Sequence, residues 1–574
     1  MTTATGSSTR PFWAGHRLAA ILDYAIGSHA RAAAVLIAAS LLLFLPGFFQ
    51  IPPVDRDEAR FAQASKQMVE SGDYIDIRFQ GEVRYKKPVG IYWLQAGAVR
   101  TARALGVPDA LTTIWLYRVP SLIGAIGAVL LTYWAALGLV GRRAAVLAGL
   151  MLAGCVLIGV EARLAKTDAF LLLTIVAAMG ALARAYLADD PPRTAPDLGL
   201  AVPAVFWTAL AAGVLVKGPL ILLFVGLAVL TLGIADRALA WLRALRPGPG
   251  ILWFLLLVLP WFLAILFRSG RGFFAGSVGD DMLAKVASGQ ESHGAPPGYY
   301  LLLFWFTFWP GAILAGLAAP AVWRARREKA TRFLLAWLVP AWIVFELVAT
   351  KLPHYVLPLY PAIAILIAGV VERGALLRRS WLELGTLGWL LVPLLVAGAG
   401  VAALVMFEDR LGLVAWPFAA LAVIFGLLAW RRYPSEGPEP ALMRALAAAM
   451  FMAVTIYAVT VPALTRLFPG VALAEVLRKA DCRRPAAAAA GFHEPSLVFL
   501  AGTSTLLTDG AGAADFLALG GCRFAFVEAR AEPGFLRRAQ AIRLPVHGAG
   551  RVEGFNYAGG RTASIAVFRS GAKP

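Results

Sequence analysis

The stretch Pro52-Pro-Val-Asp-Arg-Asp-Glu-Ala-Arg-Phe-Ala-Gln packs three carboxylates, Asp55, Asp57 and Glu58, against two guanidinium groups, Arg56 and Arg60. A carboxylate held among cations can take a proton from an attacking hydroxyl. The same residues can also form an ion-paired helix start, with Asp57 as the cap and Glu58 and Arg60 bridging loops. Both readings stay open on the residues alone. Further on, Arg84-Tyr-Lys-Lys-Pro-Val-Gly-Ile-Tyr-Trp sets Lys86 and Lys87 before a proline and an aromatic, apolar run. A lysine stem buried along such a run brings its ammonium to the height of a lipid phosphate. The alternative is plain interfacial anchoring, with Tyr92 and Trp93 as belt residues.

Other short segments repeat the theme. Glu161-Ala-Arg-Leu-Ala-Lys-Thr-Asp carries Arg163, Lys166 and Asp168; Val216-Lys-Gly-Pro carries Lys217; Lys351-Leu-Pro-His-Tyr adds Lys351, His354 and Tyr355. Asp168 also reads as a helix N-cap. Convergent cations with a few carboxylates suit an anionic lipid better than a neutral sugar in water. A polyprenyl-phosphate sugar offers a phosphate to hold and a tail to bury, and cations stabilise the phosphate that departs.

The elements that must position these groups are membrane spans. Of 574 residues 59% are hydrophobic and 15% charged, which excludes an ordinary soluble core. Apolar stretches recur from Arg31–Gln50 to Ala445–Leu464, and at roughly 20 residues per crossing they make about thirteen spans. Among them are Ala144–Val160 and one continuous span over Tyr299–Val322. Residues 1–30 are polar and basic, without a removable leader pattern, and read as a cytoplasmic segment. With that end inside, the arginine-rich connections Arg142-Arg143, Arg324 to Lys329 and Arg431-Arg432 also fall inside. The net charge of +19 therefore reads as loop anchoring, not as nucleic-acid binding. Loops 51–118 and 268–298 and residues 467–574 fall outside, on a transmembrane domain of 31–466. In loop 51–118, Phe61, Ala64 or Ser65, and Met68 recur at helical spacing, which predicts an amphipathic helix lying on the membrane surface. In 467–574, Pro495-Ser-Leu-Val-Phe-Leu-Ala and Cys522-Arg-Phe-Ala-Phe-Val-Glu read as buried strands of a small α/β domain. Cys482 and Cys522 either pair or stay free thiols.

On these motifs the chain resembles the polytopic C-type glycosyltransferases related to protein O-mannosyltransferases. Within them it is similar to the bacterial 4-amino-4-deoxy-L-arabinose lipid A transferases. The motif Asp57-Glu58-Ala59-Arg60-Phe61-Ala62 makes Asp57, not Asp55, the implied catalytic carboxylate. Lys87-Pro88 implies a contact to the lipid phosphate, Asp168 is the implied second carboxylate, and Lys217-Gly218 matches a further corner. Tyr355 is implied in the phosphate pocket, and Lys285, in the loop Asp280 to Tyr300, is the matching basic residue. The chain departs from the lipid A transferases in two places. Lys86 stands where they tend to have a glutamate, and Asp280-Asp281 stand where a histidine is often found. A metal held through that pair is not implied, and a divalent cation stays open as the one cofactor.

The resemblance implies an inner-membrane enzyme with its site and C-terminal domain facing the periplasm. Its expected partners are a polyprenyl-phosphate-linked sugar, a lipid or glycan acceptor, and membrane lipids. A multispan transporter or flippase is the rival reading, because ionisable groups such as Arg184 and Glu346 fall within spans. A scaffold whose outer domain binds a partner would leave the loop carboxylates unexplained.

Overall fold

The computed structural model describes residues 15–188, 199–277, 294–377 and 383–570. Among these, eight helices are long and apolar enough to cross a membrane, so the chain is a multi-span membrane protein. The remaining expected spans resolve into other forms. Tyr299–Val322 is not one continuous helix: Tyr299–Thr307 and Ala312–Arg324 meet at 119°. Pro310 in the break has no N–H to donate, and its ring excludes the preceding helical turn. Three apolar helices, His29–Phe44, Ala201–Lys217 and Leu220–Asp236, are shorter than a full crossing.

In chain order the elements that carry the site are α1 (Gly15–Ile26), α2 (His29–Phe44), α3 (Asp57–Ser71), α4 (Gly90–Ala104), α5 (Ile114–Ala136), α6 (Arg142–Gly154), α7 (Val156–Glu161), α8 (Asp168–Leu187) and α9 (Ala201–Lys217). A small hairpin, β1 (Arg78–Phe79) and β2 (Glu82–Val83), lies between α3 and α4. Helix α8 is buried for most of its length, packed against α5 and α9. Every residue of α6 from Ala144 to Gly154 is buried. A buried helix shows no polar stripe, so its ends are set by what its first and last residues meet. At the α1 end of the bundle, the expected basic loops find acidic partners: Arg143 pairs with Glu439 and Asp23, and Asp236 with Arg332.

Helix α3 does form at the predicted positions, but it does not lie exposed on a membrane surface. Its Phe61, Ala64 and Met68 pack with Ile91, Tyr92 and Trp261, while Ala62 on another face joins Phe499 of the C-terminal domain. Ala59, Ala62, Gln63 and Lys66 are buried as well, so the helix is sandwiched.

The C-terminal domain is a five-stranded sheet of order β4-β3-β5-β7-β6. Its strands are β3 (Ala486–Ala490), β4 (Leu506–Thr508), β5 (Arg523–Glu528), β6 (Val546–Asn556) and β7 (Arg561–Ser570). The first three run parallel, and β7 pairs antiparallel with β5 and β6. Alternation sorts the sheet into two cores: Ala487, Ala489, Phe524 and Phe526 face one side, and Ala490, Ala525 and Val527 the other. The run from Cys522 forms a strand as expected, over Arg523–Glu528, but Pro495–Ala501 is a helix. Pro495 occupies the first helical turn, where its missing N–H costs nothing. The run is apolar all round because it is covered by α3, and so it has no period to read. A Cys482–Cys522 disulfide, with Cα atoms 5.9 Å apart, ties the entry of β3 to the start of β5.

Candidate active site

The segment Val54 to Ala59 turns sharply into α3, with Arg56 at φ 66. That turn sends three successive acids in three directions. Asp55 is buried and accepts the backbone N–H of Ser496 at 2.8 Å, while its own N–H donates to the Tyr557 hydroxyl. Burial outweighs these bonds and pushes the Asp55 carboxyl up to about 7. Glu58 points into the bundle. It meets Arg118 at 2.8 and 2.9 Å and also accepts the backbone N–H groups of Val54 and Ala165. Asp57, between them, is exposed at the first turn of α3, close enough to Lys166 to act on its charge.

Arg118 was not among the residues singled out from sequence. It is 0% exposed, and its guanidinium also donates to the carbonyls of Phe48, Ile51 and Pro52. No local pattern marks an arginine near the start of an apolar helix as the partner of an acid 60 residues earlier.

Behind Asp57 lies a compact polar cluster. Lys166 Nζ is 2.9 Å from Glu161 and 3.7 Å from Asp168. Lys217, the last residue of α9, pairs with Asp168, the first of α8. His354 places Nδ1 3.7 Å from Glu161 and Nε2 3.6 Å from Asp168. Tyr355 lies with its ring 5.8 Å below the Lys217 ammonium. Thr167, not Asp168, is the residue at the helix N-cap, which leaves the Asp168 carboxylate to the two lysines. Burial raises the Glu161 carboxyl above its usual range against the pull of Lys166. Glu161 was quoted in its motif but not chosen as a site residue.

Lys87 joins this end of the bundle through a glycine. A Cβ on Gly90 would stand 2.8 Å from the Leu215 carbonyl carbon and 3.1 Å from the Val216 nitrogen. Helix α4 therefore starts in contact with the last turn of α9, three residues after Lys87 and two before Lys217. Arg60 is half-buried on the first turn of α3 and acts electrostatically on Asp55. Lys285 lies outside the described residues, as do Asp280 and Asp281.

Three residues expected at the substrate are occupied elsewhere. Glu58 is closed into the Arg118 pair, and Arg163 donates to the carbonyls of Leu43, Pro46 and Gly159 beneath the Tyr457 ring. Lys351 donates to the carbonyls of Phe345, Glu346 and Val348. It thereby caps the helix Lys329–Leu347, whose last carbonyls would otherwise lack partners.

Glu161, Asp168 and His354 bring one ligand atom each within 4.8 Å of one another, a spacing a divalent cation could bridge. Each carboxylate already carries an ammonium group, and Glu161 Oε2 is left buried without a hydrogen-bond partner. Two apolar cavities lie within the helical bundle. One, of about 400 Å³, runs along Leu301, Phe304 and Trp342 toward Trp323. The other, of about 290 Å³, lies under Arg163 and Tyr457 between Phe44 and Met452. Convergent cations above apolar slots can hold a lipid by its anionic head, with a free carboxylate alongside.

Known proteins resemble this chain in sequence and in fold. Residues 34–270 match the family model for dolichyl-phosphate-mannose-protein mannosyltransferase. The undecaprenyl phosphate-alpha-4-amino-4-deoxy-L-arabinose arabinosyl transferase of Edwardsiella ictaluri is 30% identical over 405 residues, 67% of this chain and 66% of that protein. The enzyme of the same name from Enterobacter sp. is 28% identical over 387 residues, 64% of this chain and 65% of that one. These matches span just under two thirds of the relatives' lengths. The crystal structure of ArnT from Cupriavidus metallidurans bound to undecaprenyl phosphate superposes with a TM-score of 0.70 at 19% identity, covering 93% of this chain and 97% of that one. The fold is therefore the C-type glycosyltransferase architecture. Within that class the chain resembles the aminoarabinose transferases in both sequence and fold.

Proposed function

We propose that this protein is an integral-membrane glycosyltransferase. It moves a sugar from a polyprenyl-phosphate donor of the undecaprenyl type to an acceptor at the periplasmic face of the bacterial inner membrane. One observation carries the reading: an exposed carboxylate, Asp57, acts on the charge of Lys166 in a cluster where Lys166, Lys217, His354 and Tyr355 converge on Glu161 and Asp168. An oxygen of the acceptor attacks the anomeric carbon, and the bond from that carbon to the phosphate oxygen breaks. The electron pair leaves on polyprenyl phosphate. Lys87 and Lys217 meet the departing charge, with Arg60 and Lys285 as further cations, while Asp168 keeps Lys217 in place. Asp57 takes the proton if the acceptor is a hydroxyl, and orients groups if it is an already ionised lipid A phosphate. The longer apolar groove suits the donor's tail, and the Cys482–Cys522 disulfide supports an oxidising, periplasmic setting for the C-terminal domain.

A transporter reading loses its motivation. Arg184 donates to the carbonyls of Gly180 and Trp134 and stacks on the Trp134 ring, while Glu346 accepts the N–H groups of Gly298 and Leu301 at a helix start. Both charges are satisfied by backbone and line no path. Purified protein supplied with a polyprenyl-phosphate sugar and lipopolysaccharide should release polyprenyl phosphate in step with acceptor modification. No release with any such donor would contradict the proposal.

A further inference from the structure

The C-terminal domain holds a crevice that the transfer reaction does not use. Strand β3 is followed by β4 on one side and then by β5 on the other, so the connections part above the carboxyl end of β3. Open sheets with parallel strands bind ligands at such a parting. Here the parting opens into a cavity of about 780 Å³, a size that suits a small ligand of several rings.

Its lining mixes polar and apolar surface and carries excess positive charge. His493 follows β3, Asp509 follows β4 and Arg530 follows β5, while Arg537 and Arg538 project from the helix Glu532–Ala541. Asp509 is engaged with the Gly512 N–H, Arg530 with Glu528 and Arg538 with Asp515. Arg537 is exposed and makes no ion pair among the described residues. Nε2 of His493 lies 2.9 Å from the Thr508 carbonyl, which fixes the ring. The floor is bare backbone. Gly491 sits at φ +85 with the Glu528 Cβ 2.9 Å from where its own would stand, and a Cβ on Gly510 would strike the Ala531 carbonyl.

The crevice is one short loop from the reaction site. His493 lies three residues before Ser496, at most roughly 10 Å of chain, and the Ser496 amide holds Asp55, two residues from Asp57. We propose that this crevice is a second saccharide subsite, which takes the phosphorylated sugar headgroup of the acceptor. The proposal rests on the transferase reading for the word acceptor, and on the crevice alone for the binding of an anionic saccharide. The volume exceeds a bare phosphate, and the exposed hydrogen-bonding rim suits a polyhydroxylated ring.

The test is a binding titration on the full-length protein in nanodiscs with three soluble probes. They are an acyl-free glucosamine disaccharide bearing two phosphates, the neutral N,N′-diacetylchitobiose, and inorganic phosphate. The bisphosphorylated disaccharide should bind saturably, and Arg537→Ala with His493→Ala should weaken it about ten-fold or more, a loss of about 1.4 kcal/mol. Donor-lipid affinity should not move, and the apparent KM for a glycolipid acceptor should rise with kcat unchanged. Arg537→Glu, at an exposed position, should give a larger loss of binding without unfolding. Equal binding of the neutral disaccharide, equal binding of phosphate alone, or wild-type affinity in the variants would each overturn the subsite. Arg537-dependent binding in a protein that transfers no sugar would instead leave the subsite standing and remove the transferase reading.

Discussion

Two groups of charged side chains lie a few residues apart along the chain and serve different ends. Around Glu58, the cations Arg118 and Arg163 spend their N–H groups on backbone carbonyls and one buried acid. Around Asp168, the cations Lys166 and Lys217 rest on carboxylates under an accessible surface that also presents Asp57. A guanidinium tied to several fixed carbonyls cannot turn to a ligand. The Lys217 ammonium, held by the one carboxylate of Asp168, can share its protons with a phosphate. Partners, more than charge or position in a motif, decide which cation is available for substrate.

The largest effect that would sharpen this contrast lies in the first group. Glu58→Gln leaves the Arg118 charge buried without its counter-ion and should cost about 3–5 kcal/mol of stability. Thermal unfolding in detergent reads this, and a stable variant that is merely inactive would break the contrast. Next comes the contact between α3 and the C-terminal domain. With Asp55 pushed up to about 7, the native protein keeps a proton there that the unfolded chain releases near pH 4. Stability should therefore fall as pH rises from about 4 to about 7, by up to a few kcal/mol, and level off above. Asp55→Asn should flatten that slope in a melting series across pH. In the second group, Lys217→Met should weaken donor-lipid affinity about ten-fold while the melting temperature moves little, because Asp168 keeps Lys166 and His354 beside it. An unchanged donor affinity would remove Lys217 from phosphate binding. Smallest is Lys351→Met, which uncaps a helix and should cost about 1 kcal/mol without changing donor affinity. A loss of donor affinity there would place Lys351 with the second group.

Chelation by EDTA should change turnover by less than about two-fold, since the lysines already supply the charge a cation would bring. Loss of activity restored by a divalent metal would assign Glu161, Asp168 and His354 as ligands.

Much of this was legible in the sequence because it is local. The apolar lengths gave the membrane bundle, and spacing placed α3 and its acidic start. What was not legible depends on distant partners. Glu58 and Arg60 look alike in the motif, and only Arg118, 60 residues from Glu58, separates a buried strut from an available group. Lys351 could not be told from a phosphate ligand until the helix ahead of it turned its carbonyls back. Strand β3 is five alanines, a composition with little strand preference. It becomes a strand because neighbours on both edges and helices on both faces leave room for nothing larger. The span Tyr299–Val322 broke at a proline that hydropathy does not register.

We propose that Asp57 is the carboxylate presented to the reaction while its neighbours Asp55 and Glu58 hold the structure. Single-turnover transfer from a polyprenyl-phosphate sugar by purified Asp57→Asn, with donor binding measured in the same sample, tests it most directly. The account predicts normal donor binding, an unchanged melting temperature and a rate at least about a hundred-fold lower. Transfer near the wild-type rate with the donor bound as before would contradict it.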